Sequence, residues 1–155
     1  MTPAVNAAKK AGIKFRTHAY EHDSKHPSYG LEAAEKLGIT PQRVFKTLVV
    51  QLDAKELAVA VVPVASQLDL KAFAKAAKVK KVAMADARLV ERSTGYVLGG
   101  VSPLGQKRRL LTLLDRSGLD FPTLYVSAGR RGLEIELAAD DLLRLLDGCL
   151  ADIAR

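Results

Sequence analysis

The stretches VFKTLVVQL at residues 44–52 and ELAVAVVPV at residues 56–64 decide the fold of this chain. Both are rich in valine, whose branched side chain packs well on the pleated surface of a sheet. Only Asp53-Ala54-Lys55 lies between them, and such a spacing is typical of a β-hairpin. The sequence therefore predicts two paired strands here.

Helix signals and shorter apolar runs surround this hairpin. Thr2 and Pro3 occupy the N-cap and first position of a helix that ends near Gly12. Strands interspersed irregularly with helices favour an α+β domain over repeated βαβ units, and we expect a single domain with a mixed, mostly antiparallel, barrel-like sheet surrounded by helices. The other predicted elements are helices at 31–37, 69–78, 86–91 and 138–146, strands at 14–20, 80–84, 109–113, 122–127 and 133–137, and a loop at 21–28.

The composition excludes several classes of protein. The 155 residues are 48% hydrophobic, which argues against disorder, and no apolar run approaches the 18 residues of a membrane span. One cysteine excludes a disulfide framework and fits a reducing cytosol, and the first residues show no signal-peptide pattern. With 24 Lys and Arg against 17 Asp and Glu, the net charge of +7 favours a polyanionic partner.

Lys46 is the first candidate for a functional residue. Alternation along the strand places it on one face with Val44, Leu48 and Val50. A lysine on an apolar face either reaches solvent at the strand edge or directs its ammonium group into a pocket. Because burial of an unpaired ammonium group is costly, the second interpretation implies an anionic or carbonyl ligand.

The loop from Gly95 to Gly105 is rich in glycine and includes Gly99 and Gly100. Glycine lets the backbone approach a ligand closely, so its amides can bind a phosphate or an oxyanion. The spacing matches neither the P-loop nor the dinucleotide-binding fingerprint. The alternative is a tight turn between two elements.

The segment from Ser127 to Gly132 joins two apolar strands and is predicted to form a hairpin turn. Ser127 lies at a strand end, where its hydroxyl is able to donate to a ligand. In the following LEIEL, Glu134 and Glu136 share the face opposite the leucines. Glutamates on a sheet face are usually solvated, but if this face forms a pocket wall, one of them is suited to bind an amine.

Two further features are not expected to be functional. His18, His22 and His26 are spaced four residues apart, but they leave a strand and enter a Pro-containing loop, so we expect no metal site. Cys149 extends the apolar series of the last helix and is expected in the core. No base is recognisable beside it, which argues against a nucleophile.

The basic residues form clusters suited to an RNA backbone, where each neutralised phosphate adds salt-sensitive affinity. Aromatic residues make up only 5%, so base stacking on single strands is not expected. The alternative for part of the first cluster is a solvated helix face. The candidate RNA-binding residues are Lys71, Lys75, Lys80, Lys81, Lys107, Arg108, Arg130 and Arg131.

A collinear set of motifs gives the chain a resemblance to a known family, the YbaK-type aminoacyl-tRNA deacylases, which are related to the editing domain of bacterial prolyl-tRNA synthetases. The resemblance extends over essentially the whole chain and is stronger to the branch that clears Cys-tRNA(Pro). The motifs are MTPAV at 1–5, YEHD at 20–23, KLGI at 36–39, VFKTLVV at 44–50, LAVAVVPV at 57–64, QLDLK at 67–71, KKVAMAD at 80–86, RSTGYVLGGVSPLGQK at 92–107, YVSAGRRGLEIELAADDL at 125–142 and ADIAR at 151–155.

The resemblance implies hydrolysis of the ester that links cysteine to the terminal ribose of tRNA(Pro), with looser action on other Cys-tRNA. It implies a central positioning role for Lys46, amides at Gly99 and Gly100 near the substrate carbonyl, and a pocket wall at Tyr20. Ser127 and Glu134 would contact the substrate, although position 134 usually carries aspartate in relatives. The family uses no metal, cofactor or protein nucleophile, and the substrate thiol attacks its own ester.

The resemblance also implies partners and alternatives. We expect tRNA(Pro) and prolyl-tRNA synthetase as partners, no DNA or membrane binding, and a cytoplasmic location. One alternative is a deacylase for another misacylated tRNA such as Ala-tRNA(Pro). The other is a module that binds tRNA or a synthetase without turnover.

Overall fold

The computed structural model describes residues 1–53 and 55–155, so Ala54 in the predicted hairpin turn lies outside the described residues. The α-helices are α1 (Pro3–Ala11), α2 (Tyr29–Leu37), α3 (Leu70–Ala77), α4 (Ala87–Thr94) and α5 (Ala139–Leu146). The strands are β1 (Arg16–Ala19), β2 (Phe45–Leu52), β3 (Glu56–Pro63), β4 (Val82–Met84), β5 (Leu111–Asp115), β6 (Leu124–Arg130), β7 (Leu133–Leu137) and β8 (Cys149–Ala151). Pro41–Arg43 and Arg116–Asp120 form short 3-10 helices.

The strands form two sheets, with the orders β4-β2-β3-β5-β8 and β1-β7-β6. The β3–β5 and β5–β8 pairs are parallel and the other ladders are antiparallel. This confirms the predicted α+β fold with a mixed, mostly antiparallel sheet. The barrel-like description is too strong, because the strands form two open sheets rather than one closed sheet.

The predicted β2–β3 hairpin is confirmed, and its register runs from Phe45 opposite Pro63 to Leu52 opposite Glu56. Its two faces contribute to two different hydrophobic cores. Phe45 and Val59 belong to the core that contains β6, β7 and α1. The opposite face packs with Phe73 of α3. Because both faces are buried, the sequences of these two strands are nearly continuous runs of apolar residues.

Side-chain caps begin four of the helices where polar residues precede the helical pattern. Thr2, Ser28, Asp69 and Asp86 each accept a hydrogen bond from the backbone N–H three residues later. Such caps satisfy amides that have no partner inside the helix. Helix α4 extends to Thr94, beyond the predicted end near residue 91.

The predicted burial of Cys149 is wrong. Helix α5 ends at Leu146, and Asp147 then adopts a left-handed conformation with φ 50°. The chain turns there and Cys149 begins β8, where it pairs with Leu113 and is exposed. The apolar series of the helix therefore does not continue to this residue.

The two sheets meet at an isolated parallel bridge between Val44 and Tyr125. Beyond this bridge, β4 pairs with β2 only at Val50–Leu52. Between this bridge and β4, no strand of the described residues pairs with the outer edge of β2. No helix in the described residues is long and apolar enough to cross a lipid bilayer.

Candidate active site

A cavity of about 420 Å³ is lined by residues of β2 in one sheet and of β6 and β7 in the other. Its size lies within the usual range for small-ligand sites. Five of the six predicted catalytic and substrate-binding residues line it, and Gly100 lies outside the lining. The lining residues are Tyr20, Pro27, Ser28, Tyr29, Gly30, Phe45, Lys46, Thr47, Leu48, Leu98, Gly99, Val101, Ser127 and Glu134.

Lys46 is the only one of these lining residues with a cationic side chain. It has no hydrogen-bond or ion-pair partner among residues 1–53 and 55–155. Burial lowers the pKa of its ammonium group, because desolvation disfavours the charged form. The structure thus places Lys46 in a pocket, which was one of the two interpretations of its strand position.

Thr47 is a lining residue that the sequence did not single out. Its Oγ1 is buried and has no hydrogen-bond partner in the described part of the chain. Val49 accepts from the N–H of Ala85 on the β4 side, so the backbone groups of Thr47 point to the same edge. A buried hydroxyl without a partner at a cavity is suited to bind a ligand. In the sequence, the only sign that Thr47 belongs to the site is that it directly follows Lys46.

Glu134 lies on β7 opposite Ser127 of β6 and is only 6% exposed. No hydrogen bond or ion pair with the described residues compensates its burial. Desolvation raises its pKa to about 8. Near neutral pH this carboxyl group is therefore mainly protonated, and an incoming ammonium group would cause it to ionise.

Glu136, on the same face of β7, is held quite differently. His18 lies 2.8 Å from one of its oxygens, and Thr123 donates to the other at 2.6 Å. Arg43 lies 3.4 Å from the same carboxylate. Burial raises the pKa of Glu136, but the hydrogen bonds from Thr123 and His18 outweigh this effect and the net direction is downward. Of the two glutamates, only Glu134 is free to meet a ligand.

Tyr20 follows β1 and lines the cavity. Its backbone N–H donates to the carbonyl of Gly132 at 2.9 Å, which fixes the residue next to the β6–β7 turn. Burial raises the pKa of its phenol, and the nearby Glu134 carboxyl raises it further. The phenol therefore stays protonated and is able to donate a hydrogen bond into the cavity.

The glycine loop contacts the cavity through Gly99, but its two adjacent glycines differ. Gly99 has φ 89°, and a Cβ on it would overlap the side chains of Arg131 and Tyr29. Gly100 lies against the backbone of Arg130, and its N–H already donates to the carbonyl of Val97. The Gly100 amide is therefore not available to a substrate, contrary to the expectation for this residue.

Ser127 lines the cavity at a β-bulge, where the register of β6 against β7 shifts before Arg130. Its Oγ accepts from the N–H of Gly129 at 3.1 Å. The hydroxyl proton is left to donate to a ligand. No base contacts this serine in the described residues, so the arrangement is that of a donor rather than an activated nucleophile.

Seven of the eight predicted RNA-binding cations are exposed and have no ion-pair partner within the described ranges. Arg131 differs, because it is half-buried and its guanidinium lies 3.7 Å from the centre of the Tyr29 ring. It also donates to the Tyr29 hydroxyl. An already engaged guanidinium does not fit the expected role of a free phosphate ligand.

The three histidines contact three different glutamates. His18 pairs with Glu136, His22 with Glu32, and His26 with Glu35. Residues 1–53 and 55–155 contain no group of three or more His, Cys, Asp or Glu side chains arranged to hold a metal ion.

Comparisons with known proteins identify the family of this chain. The family model of the aminoacyl-tRNA editing domain matches residues 28–145. A protein of Enterococcus faecalis named "Putative Cys-tRNA(Pro)/Cys-tRNA(Cys) deacylase EbsC" is 38% identical over 152 residues, which cover 98% of this chain and 92% of that protein.

Solved structures show the same fold. One described as "hypothetical protein APE2540" has a TM-score of 0.87 at 26% identity and covers 99% of both chains. Another, described as "a putative trans-editing enzyme for prolyl tRNA synthetase", has a TM-score of 0.84 at 22% identity. It covers 99% of this chain and 95% of that one, and at this identity it shows the fold alone.

Proposed function

Since this chain belongs to the aminoacyl-tRNA editing domain family, we propose that it is a trans-editing deacylase that removes cysteine from mischarged Cys-tRNA(Pro). The observation that carries the proposal is the pair of uncompensated groups in one cavity. Lys46 and Glu134 both line it, and neither has an ion-pair partner in the described residues. An aminoacyl ester offers the matching groups, a carbonyl oxygen and an ammonium.

Lys46 would stabilise the negative charge that develops on the ester carbonyl. A cation preorganised in a partly desolvated site is worth more to a transition state than the same cation in water. Because Lys46 has no ion-pair partner in the described residues, substrate binding would break no ion pair there. The backbone N–H of Gly99 and the buried hydroxyl of Thr47 are further candidate donors at the same cavity.

Glu134 would bind the α-ammonium group of the aminoacyl moiety. Its carboxyl is mainly protonated near neutral pH before an ammonium group binds, because its pKa is about 8. Arrival of an ammonium group favours the ionised form, so binding would release a proton from Glu134. Glutamate in place of the aspartate expected from the resemblance extends the carboxyl by one methylene group.

The substrate would supply its own nucleophile. The cysteine sulfur would form a bond to the ester carbonyl carbon as the ester C–O bond breaks, and the thiol proton would pass to the departing ribose oxygen. Water would then open the cyclic thioester to free cysteine. Holding an internal nucleophile in line removes part of the barrier. Proline lacks a thiol, so this chemistry would discriminate more sharply than pocket size alone.

The seven exposed cations would attract the tRNA backbone. They lie on α3 (Lys71 and Lys75), before β4 (Lys80 and Lys81), after the glycine loop (Lys107 and Arg108) and at the end of β6 (Arg130). Contacts to phosphates position an RNA without reading its sequence. We therefore propose that prolyl-tRNA synthetase supplies selectivity for tRNA(Pro), and that the whole chain acts as one domain in the cytoplasm.

The experiment that tests this function is amino-acid release from a panel of charged tRNAs. Purified protein is incubated with Cys-tRNA(Pro), Cys-tRNA(Cys), Ala-tRNA(Pro) and Pro-tRNA(Pro), with and without prolyl-tRNA synthetase. We expect release of cysteine, an increase in preference for tRNA(Pro) when the synthetase is present, and intact Pro-tRNA(Pro).

Two outcomes would refute the proposal and favour another function. Faster release of alanine than of cysteine would make the protein a deacylase for Ala-tRNA(Pro). Binding of charged tRNA without release of any amino acid would make it a non-catalytic module.

A further inference from the structure

The side chains of Glu32, His22, Arg131 and Tyr29 contact one another in series next to the cavity. We call the part of the cavity lining formed by Tyr29 and Gly99 the outer wall. The Nδ1 of His22 lies 2.7 Å from a carboxylate oxygen of Glu32, and its Nε2 lies 3.4 Å from the guanidinium of Arg131. Arg131 in turn lies over the ring of Tyr29 and donates to its hydroxyl. Of these four residues only Tyr29 lines the cavity.

Glu32 lies at one end of this series of contacts. Its side chain is fully buried, and burial alone raises the pKa of a carboxyl group. The hydrogen bonds from His22, from the N–H of Asp23 at 2.7 Å and from Lys36 outweigh that effect and lower the pKa to about 2. Glu32 is thus a buried, ionised anchor.

The ionised anchor determines which nitrogen of His22 carries a proton. A carboxylate only accepts hydrogen bonds, so the Nδ1 that faces Glu32 carries the hydrogen. The Nε2 then presents a lone pair to Arg131, which is always charged and only donates. The imidazole therefore connects a buried anion to a half-buried cation.

Arg131 holds two parts of the cavity wall together. The Tyr29 ring lies on one side of its guanidinium. Gly99 lies so close that a Cβ added to it would come within 2.9 Å of both Arg131 Nη2 and Tyr29 Cε2. The position of the guanidinium therefore fixes the spacing between the start of α2 and the glycine loop.

We propose that His22 is a positioning residue for deacylation, because it holds Arg131 over Tyr29 and thereby fixes the outer wall of the cavity against Gly99. The inference rests on the proposed function. A cation–π contact near the surface is weak by itself, and an arginine side chain has several rotatable bonds. Without His22, the guanidinium is free to leave the wall and pair with an RNA phosphate.

Two substitutions at His22 separate the two contacts. In His22→Asn the side-chain amide overlays Nδ1, so it keeps the bond to Glu32 and loses Arg131. In His22→Gln the amide overlays Nε2, so it keeps the contact to Arg131 and loses Glu32. Arg131→Lys keeps the charge but loses the planar group. His18→Asn is the matched control, because His18 contacts Glu136 outside the cavity lining.

The first measurement does not depend on activity. The ring signals of the 4 tyrosines are recorded by NMR with ¹³C-labelled tyrosine, and Tyr29 is assigned from the signal that Tyr29→Phe lacks. We expect His22→Asn and Arg131→Lys to shift the Tyr29 signal and His18→Asn to leave it in place. A Tyr29 signal that His22→Asn does not move would overturn the proposal, whether or not the protein deacylates Cys-tRNA.

The second measurement is the single-turnover rate on Cys-tRNA(Pro) as a function of protein concentration. Displacement of a wall is expected to lower the saturating rate of His22→Asn about tenfold to a hundredfold, with a much smaller change in the half-saturating concentration. Arg131→Lys should have the same effect, and the double variant should be no slower than either single one. Full activity of Arg131→Lys, or additive losses in the double variant, would contradict the coupling.

If the wild-type protein fails to release cysteine, the proposed function is refuted. The NMR result would still show whether His22 holds Arg131 over Tyr29.

Discussion

Replacement of Glu134 by glutamine should remove a pH-dependent loss of stability. Glu134→Gln keeps the size of the side chain and eliminates its titration. The side chain is 6% exposed, and desolvation raises its pKa from 4.5 to about 8. The unfolded chain releases this proton near pH 4.5, whereas the folded chain keeps it up to about pH 8. Between these values the folded state holds an extra proton, so the wild type should lose stability as the pH rises.

The magnitude follows from the size of the pKa difference. At about 1.4 kcal/mol per unit, a pKa raised from 4.5 to about 8 corresponds to a ceiling of about 5 kcal/mol. We expect about 2–5 kcal/mol, because rearrangement and water entry relieve part of the desolvation. Below pH 4.5 the two proteins should be equally stable, and above pH 8 the variant should be more stable by the full amount.

Urea denaturation followed by far-ultraviolet circular dichroism, from pH 4 to pH 9, measures this difference. With a urea dependence of roughly 2 kcal/mol per molar, the midpoint of the variant should exceed that of the wild type by about 1–2.5 M at pH 9. Other groups titrate in both proteins, so their effects cancel in the difference. Parallel stability curves for the two proteins over this range would refute the assignment of a buried, unpaired carboxyl group.

Three further outcomes are expected. Gly99→Ala should destabilise the fold by about 1–3 kcal/mol and reduce deacylation, because φ is 89° and its Cβ would overlap Arg131; thermal unfolding and single-turnover assays measure both. Lys71→Ala combined with Lys75→Ala should reduce the slope of log K for tRNA binding against log salt by roughly 1 per residue, in a filter-binding assay. Asp115→Ala should cost about 2–4 kcal/mol in urea denaturation, because its carboxylate accepts hydrogen bonds from the N–H groups of Ile153 and Ala154, both at 3.0 Å.

Matched controls accompany these variants. Gly12→Ala also places alanine at a positive φ, 69°, but in open space, so it should keep the full deacylation rate. An equal loss of rate in both glycine variants would contradict the role of the Arg131 contact. An unchanged salt slope would show that Lys71 and Lys75 are only a solvated helix face. Unchanged stability of Asp115→Ala would contradict its anchoring of the C-terminal segment.

Local signals in the sequence predicted much of the fold. The valine-rich runs defined β2 and β3, and the capping residue Thr2 marked the start of α1. Strand β8 was missed because a strand of three residues depends on its neighbour β5 rather than on its own pattern. The exposure of Cys149 follows from the same missed strand.

The candidate site was predicted less completely, because its electrostatics depend on residues distant in the sequence. Glu134 and Glu136 look alike in LEIEL, yet only Glu136 meets partners from β1 and from Arg43. Arg131 contacts His22, which lies 109 residues away in the sequence. Lys46 was found from strand alternation, since a lysine on an apolar face is unusual by itself.

The most direct test of the account is the rate at which Lys46→Ala releases cysteine from Cys-tRNA(Pro) under single-turnover conditions. The account predicts a rate about a hundredfold to a thousandfold below wild type, because the variant lacks the cation that stabilises the oxyanion. Lys55→Ala, an exposed lysine outside the cavity lining, should keep the wild-type rate. Release of cysteine by Lys46→Ala at the wild-type rate would contradict the central role of Lys46.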